Sequence, residues 1–234
     1  MQPADTPPPG AHTGARTQDG LGQLYLPGAF AENDLAALDA LLVRDNFTTL
    51  VTVRDGAPTV SHLPVLYYRD GDRVVLRGHW ARPNPQSTHA GPALAIVHGP
   101  HAYLSPAWYP DKEEQARVPT WNYAVAHLDG VIETFDDEAS LADLVSDLSD
   151  QHEARVDSDW RFESERDDLR RQLRGIIGFR FVVDRITLKF KLSQNHPVAN
   201  RMAVIEQLDA QPRDASREIA ALMRARSHHA PNGD

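Results

Sequence analysis

Apolar residues recur along this chain in two rhythms. Leu35, Leu38, Leu41 and Leu42 follow Asn33 at helical spacing, which predicts a first helix over about 34–45 with Asn33 as its N-cap. Phe47 to Val53 is β-rich, and Asp55-Gly56 marks a hairpin turn before a return strand from Pro58 to Tyr68. Asp70-Gly71 is a second turn, leading into a strand from Arg73 to His79. Three strands joined by two Asx-Gly turns predict an antiparallel meander. Ala93 to Val97 reads as a short buried strand, broken at His98-Gly99-Pro100 and resumed over His101 to Leu104. Ser105 to Thr120 is a long loop with Pro106, Pro110 and Pro119, and loops of that length are commonly functional or mobile. Trp121 to Phe135 returns to strand character. Six strands with short turns predict a closed or nearly closed small barrel.

The rhythm then changes. Glu138 to Ala154 places Leu141, Leu144, Val145 and Leu148 on one helical face, and Phe162 to Arg174 reads as a second, highly charged helix. Gly175 to Leu192 is a long β segment. Within it Ile186, Leu188, Phe190 and Leu192 alternate with Thr187, Lys189 and Lys191, so the two sets face opposite ways. Val198 to Leu208 and Asp214 to Ala225 are candidate C-terminal helices. The expected fold is mainly β and antiparallel with flanking helices, in one domain over 23–226. Residues 1–22, rich in Pro, Gly, Thr and Gln, read as a disordered tail, and 227–234 as a frayed one.

Composition narrows the function classes. A net charge of −9 over 234 residues disfavours a general nucleic-acid binder, which needs a basic surface. There are no cysteines, so disulfides, thiolate metal sites and a cysteine nucleophile are all excluded. No apolar run approaches the roughly 20 residues of a membrane span, and the N-terminus lacks a signal-peptide core. A cytoplasmic protein is expected.

Six of the eleven histidines fall between His62 and His127: His62, His79, His89, His98, His101 and His127. Their spacing does not match a metal motif, whereas haem ligation is chemically allowed and polar packing at strand ends is the plain alternative. Ser61 and His62 adjoin on one strand and so point to opposite faces, which removes them as a nucleophile–base pair. No Gly-x-Ser-x-Gly, Gly-x-Gly-x-x-Gly or P-loop occurs. Trp121-Asn122-Tyr123 offers two aromatics to stack on a planar ring and an amide to bond its edge, or equally a packing cluster at a barrel rim. Arg82, Lys189 and Lys191 stand at strand ends, where they either gather on one phosphate or remain solvated. The C-terminal helices could form a helix-turn-helix, but Glu206, Asp209, Asp214 and Glu218 offset their arginines, and a packing or dimer role is the commoner one.

Several stretches together resemble a known family. They are Tyr25-Leu-Pro, Ser61-His-Leu-Pro, Gly78-His-Trp-Ala-Arg-Pro-Asn-Pro-Gln86, Gly99-Pro-His-Ala-Tyr-Leu-Ser-Pro106, Val118-Pro-Thr-Trp-Asn-Tyr123, Ile177-Gly-Phe179 and Lys189-Phe-Lys-Leu-Ser-Gln-Asn195. In this order, from about residue 23 to 208, they resemble the PaiB-type FMN-binding negative transcriptional regulators. The resemblance implies an FMN-binding split β-barrel, similar to that of pyridoxamine-phosphate oxidases, with flavin at a homodimer interface. It points to Ser61, His62, His79, Arg82, Asn84 and Gln86 for the phosphate and ribityl chain. It also places Asn122 near the flavin, and the turn from Lys191 to Gln194 near the partner subunit's cofactor. With Trp121 and Lys189 these form the expected cofactor-binding set. The family name implies transcriptional repression, though direct DNA binding has little support in an acidic chain. The split-barrel class also contains flavin oxidoreductases and haem-binding or haem-degrading proteins, which stand as alternative activities.

Overall fold

The computed structural model describes residues 23–227, so the expected tails lie outside the described residues except for Ser227. A two-residue strand β1 (Ala31–Glu32) precedes helix α1 (Leu35–Arg44). The N-cap of α1 is Asp34, one residue beyond the expected Asn33. Its carboxylate accepts the Ala36 N–H at 2.9 Å, whereas the Asn33 N–H itself donates to Glu32. Leu38, Leu41 and Leu42 are buried, as their spacing predicts.

Strand β2 (Phe47–Arg54) turns at Asp55 and Gly56, both with positive φ, into β3 (Ala57–Pro64). Here the expected meander fails. The segment read as one strand is two: β3 pairs with β2, while β4 (Leu66–Asp70) pairs with β5 (Arg73–Ala81). Pro64, whose nitrogen faces away from β2, ends β3; the Val65 amide makes one more in-register bond to Asn46 O at 3.0 Å, and from Leu66 the pairing passes to β5. The chain therefore leaves one hairpin and starts another at the far edge of the sheet.

Strand β6 (Gly91–Leu104) runs through the expected break at His98-Gly99-Pro100, which is a register shift within a continuous strand. A Cβ on Gly99 would lie 2.7 Å from Leu41 Cδ2 and 2.8 Å from Ala124 O, so α1 packs on the sheet where only glycine fits. The loop after β6 is anchored. Tyr109 is buried, Arg117 forks onto Asp111, and Asn200 also donates to Asp111 at 2.8 Å.

Strand β7 (Thr120–Phe135) leads to α2 (Glu138–Glu153), capped by Asp137. The second charged helix is much shorter than expected: α3 spans Asp167–Arg170 and a 3-10 turn follows over Arg171–Gly175. Of its few apolar residues only Leu173 is buried, and a short helix without an apolar face to pack is not stable alone. Strand β8 (Ile176–Lys191) and helices α4 (Val198–Asp209) and α5 (Asp214–Ser227) complete the described chain.

The eight strands form one antiparallel sheet in the order β3-β2-β6-β7-β8-β5-β4, with β1 on β8. Its inner face buries Leu50, Leu76, Trp80, Leu128, Phe179 and Phe181, joined by leucines of α1 and by Val204, Ile205, Ile219 and Met223 of α4 and α5. Leu144 and Leu148 of α2 pack on Leu66 and Phe135 in a separate cluster. The sheet rolls until β3 meets β5 without a strand ladder between them: a barrel with one split seam. At that seam a Cβ on Gly78 would stand 3.1 Å from Pro64 O and 2.6 Å from the Phe179 ring.

A 3-10 turn, Pro85–Thr88, plugs the seam, and Gln86 is its centre. The fully buried Gln86 amide donates to Leu50 O, Thr59 O and Thr52 Oγ1 at 2.9–3.2 Å. Its carbonyl accepts the Trp80 indole N–H at 3.0 Å. Asn84 caps the turn through the Gln86 N–H and donates to Ser61 Oγ at 3.0 Å. We predict that Gln86→Leu, which orphans several buried groups at once, destabilises the fold by about 3 kcal/mol in urea unfolding. A loss under about 1 kcal/mol would show that the turn is not what holds the seam.

Candidate functional site

The expected cofactor-binding residues fall into separate places. Ser61, Asn84 and Gln86 meet at the seam, where they hydrogen-bond to each other and to the backbone. Gln86 has spent its donors and acceptor internally, so its side chain has no free group for a ligand. His79 lies on the side of β5 that α2 covers, in the row of Arg77, which pairs with Asp147 of α2. Its Nδ1 is buried without a partner among the described residues, and burial pushes its pKa below the ordinary histidine range.

Arg82 does not join the lysines. Its guanidinium donates to Arg174 O at 2.8 Å and Ile176 O at 3.2 Å and lies 3.5 Å from Asp136, at the start of β8. Lys189 and Lys191 stand at the other end of that strand. From Ile176 to Lys189 is roughly 40 Å of strand at about 3.3 Å per residue. The expectation that the three cations of one chain gather on one phosphate is therefore overturned. A single long strand holds them apart.

Asn122 also departs from expectation. Its position on β7 alternates inward, and its fully buried amide exchanges hydrogen bonds with Ser193 Oγ at 3.1–3.2 Å. It bonds the core, whereas its neighbours Trp121 and Tyr123 face out. Gln194 closes the turn after β8, accepting the Leu192 N–H at 2.7 Å and donating to Phe190 O. Ser193 takes the left-handed φ of +63° that this turn requires.

What does come together lies at the end of β7 and β8. Tyr25, Phe30, Trp121 and Tyr123 line an open cleft of about 460 Å³ with Thr120, Lys189 and Lys191. Lys189 donates to Tyr25 O at 2.6 Å and lies 5.2 and 5.5 Å from the Tyr25 and Tyr123 ring centres. Lys191 donates to Thr120 Oγ1 and Trp121 O at 2.6 and 2.7 Å. Burial, then the charge of Lys189, lowers the Lys191 pKa. Trp121 is half exposed and meets Tyr103 edge-on. The alternation of β8 predicts the outward lysines. Tyr25, which lies 164 residues before Lys189 in the sequence, has no local signal beyond the Tyr25-Leu-Pro stretch.

The outward face of β3, β2, β6 and β7 continues from this cleft. His62 sits on it, with Nδ1 3.0 Å from Thr49 Oγ1, and His98 Nε2 approaches the same hydroxyl at 3.0 Å. Phe47, Val60, Tyr103, Trp121 and Val131 are exposed there, an apolar content uncommon on a solvated face. Among the described residues no group of three or more His, Asp or Glu is arranged to hold a metal ion.

The chain was compared with known families, proteins and solved structures. The family model described as "Putative FMN-binding domain" matches residues 24–185. The protease synthase and sporulation protein PAI 2 of Bacillus subtilis (strain 168) is 30% identical over 204 residues, 86% of this chain and 96% of that protein. An uncharacterized protein of Emericella nidulans is 29% identical over 87% of this chain and 97% of its own. Among solved structures, the FAD and haem binding protein from Mycobacterium smegmatis aligns with a TM-score of 0.46 at 19% identity, over 74% of this chain and 78% of that one. The family match over most of the length, and a PAI 2 relative aligned nearly end to end, show that this chain belongs to the PaiB-type FMN-binding family.

Proposed function

We propose that this protein binds FMN in the aromatic cleft at the interface of a homodimer and acts as a flavin-responsive regulator in the cytoplasm. One observation carries the reading. The cleft pairs flat aromatic walls with two ammonium groups whose hydrogen-bonding capacity is not exhausted. Each ammonium has three donors, and among the described residues Lys189 uses one and Lys191 two. The two donors left on Lys189 suit a phosphate, and Trp121 and Tyr123 suit a planar ring. A volume of about 460 Å³ falls in the range of small-molecule sites. Bound FMN would supply electron or hydride transfer, and Lys189, Trp121 and Tyr123 would hold and orient it.

The dimer is supported by the outward sheet face, where a second copy would cover Phe47, Val60, Tyr103 and Val131 and flank the cleft. In such an assembly Arg82 and His62 of one subunit could approach the lysine end of the other, which restores a role for the expected set across two chains. The C-terminal helices speak for regulation through a partner protein rather than direct DNA reading. Arg217, Arg224 and Arg226 are paired with Asp214, Asp209 and Glu32, and the inner helix faces are spent on the core. Among the described residues no helix is long and apolar enough to cross a membrane.

We expect Lys189→Met to weaken FMN at least about tenfold while riboflavin changes little, as measured by flavin fluorescence quenching; one charge-assisted contact is worth about 1.5–3 kcal/mol. Equal losses for both ligands would take the phosphate away from this lysine. The wild-type protein should elute as a dimer in light scattering and Val60→Asp as a monomer; a monomeric wild type ends the interface reading. Oxidation of a nicotinamide donor that needs added FMN would make the protein an oxidoreductase instead. The exposed His62 and His98 favour haem as the second cofactor reading. A Soret band lost in His62→Ala, with no FMN binding, would replace flavin by haem.

A further inference from the structure

A second cleft, of about 310 Å³, adjoins the aromatic one and shares Thr120 and Lys191 with it. Tyr109, Arg117, Ser193 and His196 complete its principal lining. Its chemistry differs from that of its neighbour. Arg117 donates to Asp111 through Nε and Nη2, and Nη1 has no hydrogen-bond partner among the described residues. Lys191 has one N–H beyond the two it gives to Thr120 and Trp121. The His196 ring stacks on Tyr109 with centroids 5.0 Å apart, and its Nδ1 is buried without a partner among the described residues. Burial, then the charge of Arg117, holds its pKa below the ordinary range, so the ring is neutral near pH 7 and keeps one donor.

Two strained residues line the same cleft. Ala116 has φ +44° and Ser193 φ +63°. The other non-glycine residues with positive φ, Asp55 and Asp157, belong to the type that visits this region readily. An alanine there is costly and persists only where its surroundings impose it, a condition common at ligand clamps. Asp111 is the acidic partner of Arg117, and its carboxyl is lowered to about 2 by the arginine's hydrogen bonds. Among the described residues Lys191 has no carboxylate partner, and Lys189 adds a second positive charge close by.

We propose that this polar cleft is a separate binding site for a small oxyanion, a carboxylate or a phosphate monoester, held by Lys191, Arg117 and His196. The site goes beyond the flavin reading and does not depend on it. With flavin in the aromatic cleft, the anion is its neighbour across Lys191, the place of an acidic substrate or effector.

The test uses the flavin-free full chain in calorimetric titrations with inorganic phosphate and with acetate, at constant ionic strength in chloride. One saturable site per chain is expected for at least one of the two anions, weakened about tenfold or more by Lys191→Met and by Arg117→Gln. Binding of phosphate alone narrows the class to phosphate esters, and of acetate alone to carboxylates. If Arg117→Gln unfolds the loop through Asp111, His196→Ala, which lies outside the aromatic cleft, decides. No saturable heat with either anion, or equal affinity in Lys191→Met, overturns the site, even in a protein that binds FMN normally.

Discussion

A barrel that does not close must find something other than a strand ladder for its last edge. Here that is one primary amide. Gln86 joins the backbone of β2 and β3 to the indole of Trp80 on β5, and no water is needed to satisfy any of the groups involved. A buried amide with all its partners specifies one arrangement, because any other would leave polar groups unpaired in a low-dielectric interior. The curvature of the sheet, and hence the direction in which its outer face looks, depends on that seam.

Long strands impose the second constraint. β7 and β8 each span sixteen residues, and their two ends cannot serve one small ligand within a single chain. The end near Arg82 has its cation engaged by carbonyls, whereas the end near Lys189 combines free donors with aromatic surface. A rigid sheet presenting such groups at its rim is a common basis for ligand sites. The polar cleft on the far side of Lys191 extends the same rim, so one ammonium faces two chemically different spaces.

Much of the secondary structure was legible because periodicity is local. The leucines of α1, the alternation at the end of β8 and the Asx-Gly turns each follow from neighbours within a few residues. Failures occurred where tertiary partners decided. The segment from Pro58 to Tyr68 looks like one strand, yet its first part pairs with β2 and, from Leu66, its second part pairs with β5. The charged run before Gly175 has helical composition but no apolar stripe to pack. Asn122 reads as a ligand group, yet the parity of β7 turns it to Ser193.

By itself the sequence determined the element types, the antiparallel class, the family and the outward direction of Lys189 and Lys191, since each rests on short-range pattern or ordered motifs. Only the tertiary structure decided which of the singled-out residues share a space. Residues at opposite ends of a long strand look equally near in motif order, and a buried amide looks like a free one. Tyr25 touches Lys189, and Arg117 and Lys191 line one cleft, across long stretches of chain, and spatial proximity of that kind leaves no trace in local spacing.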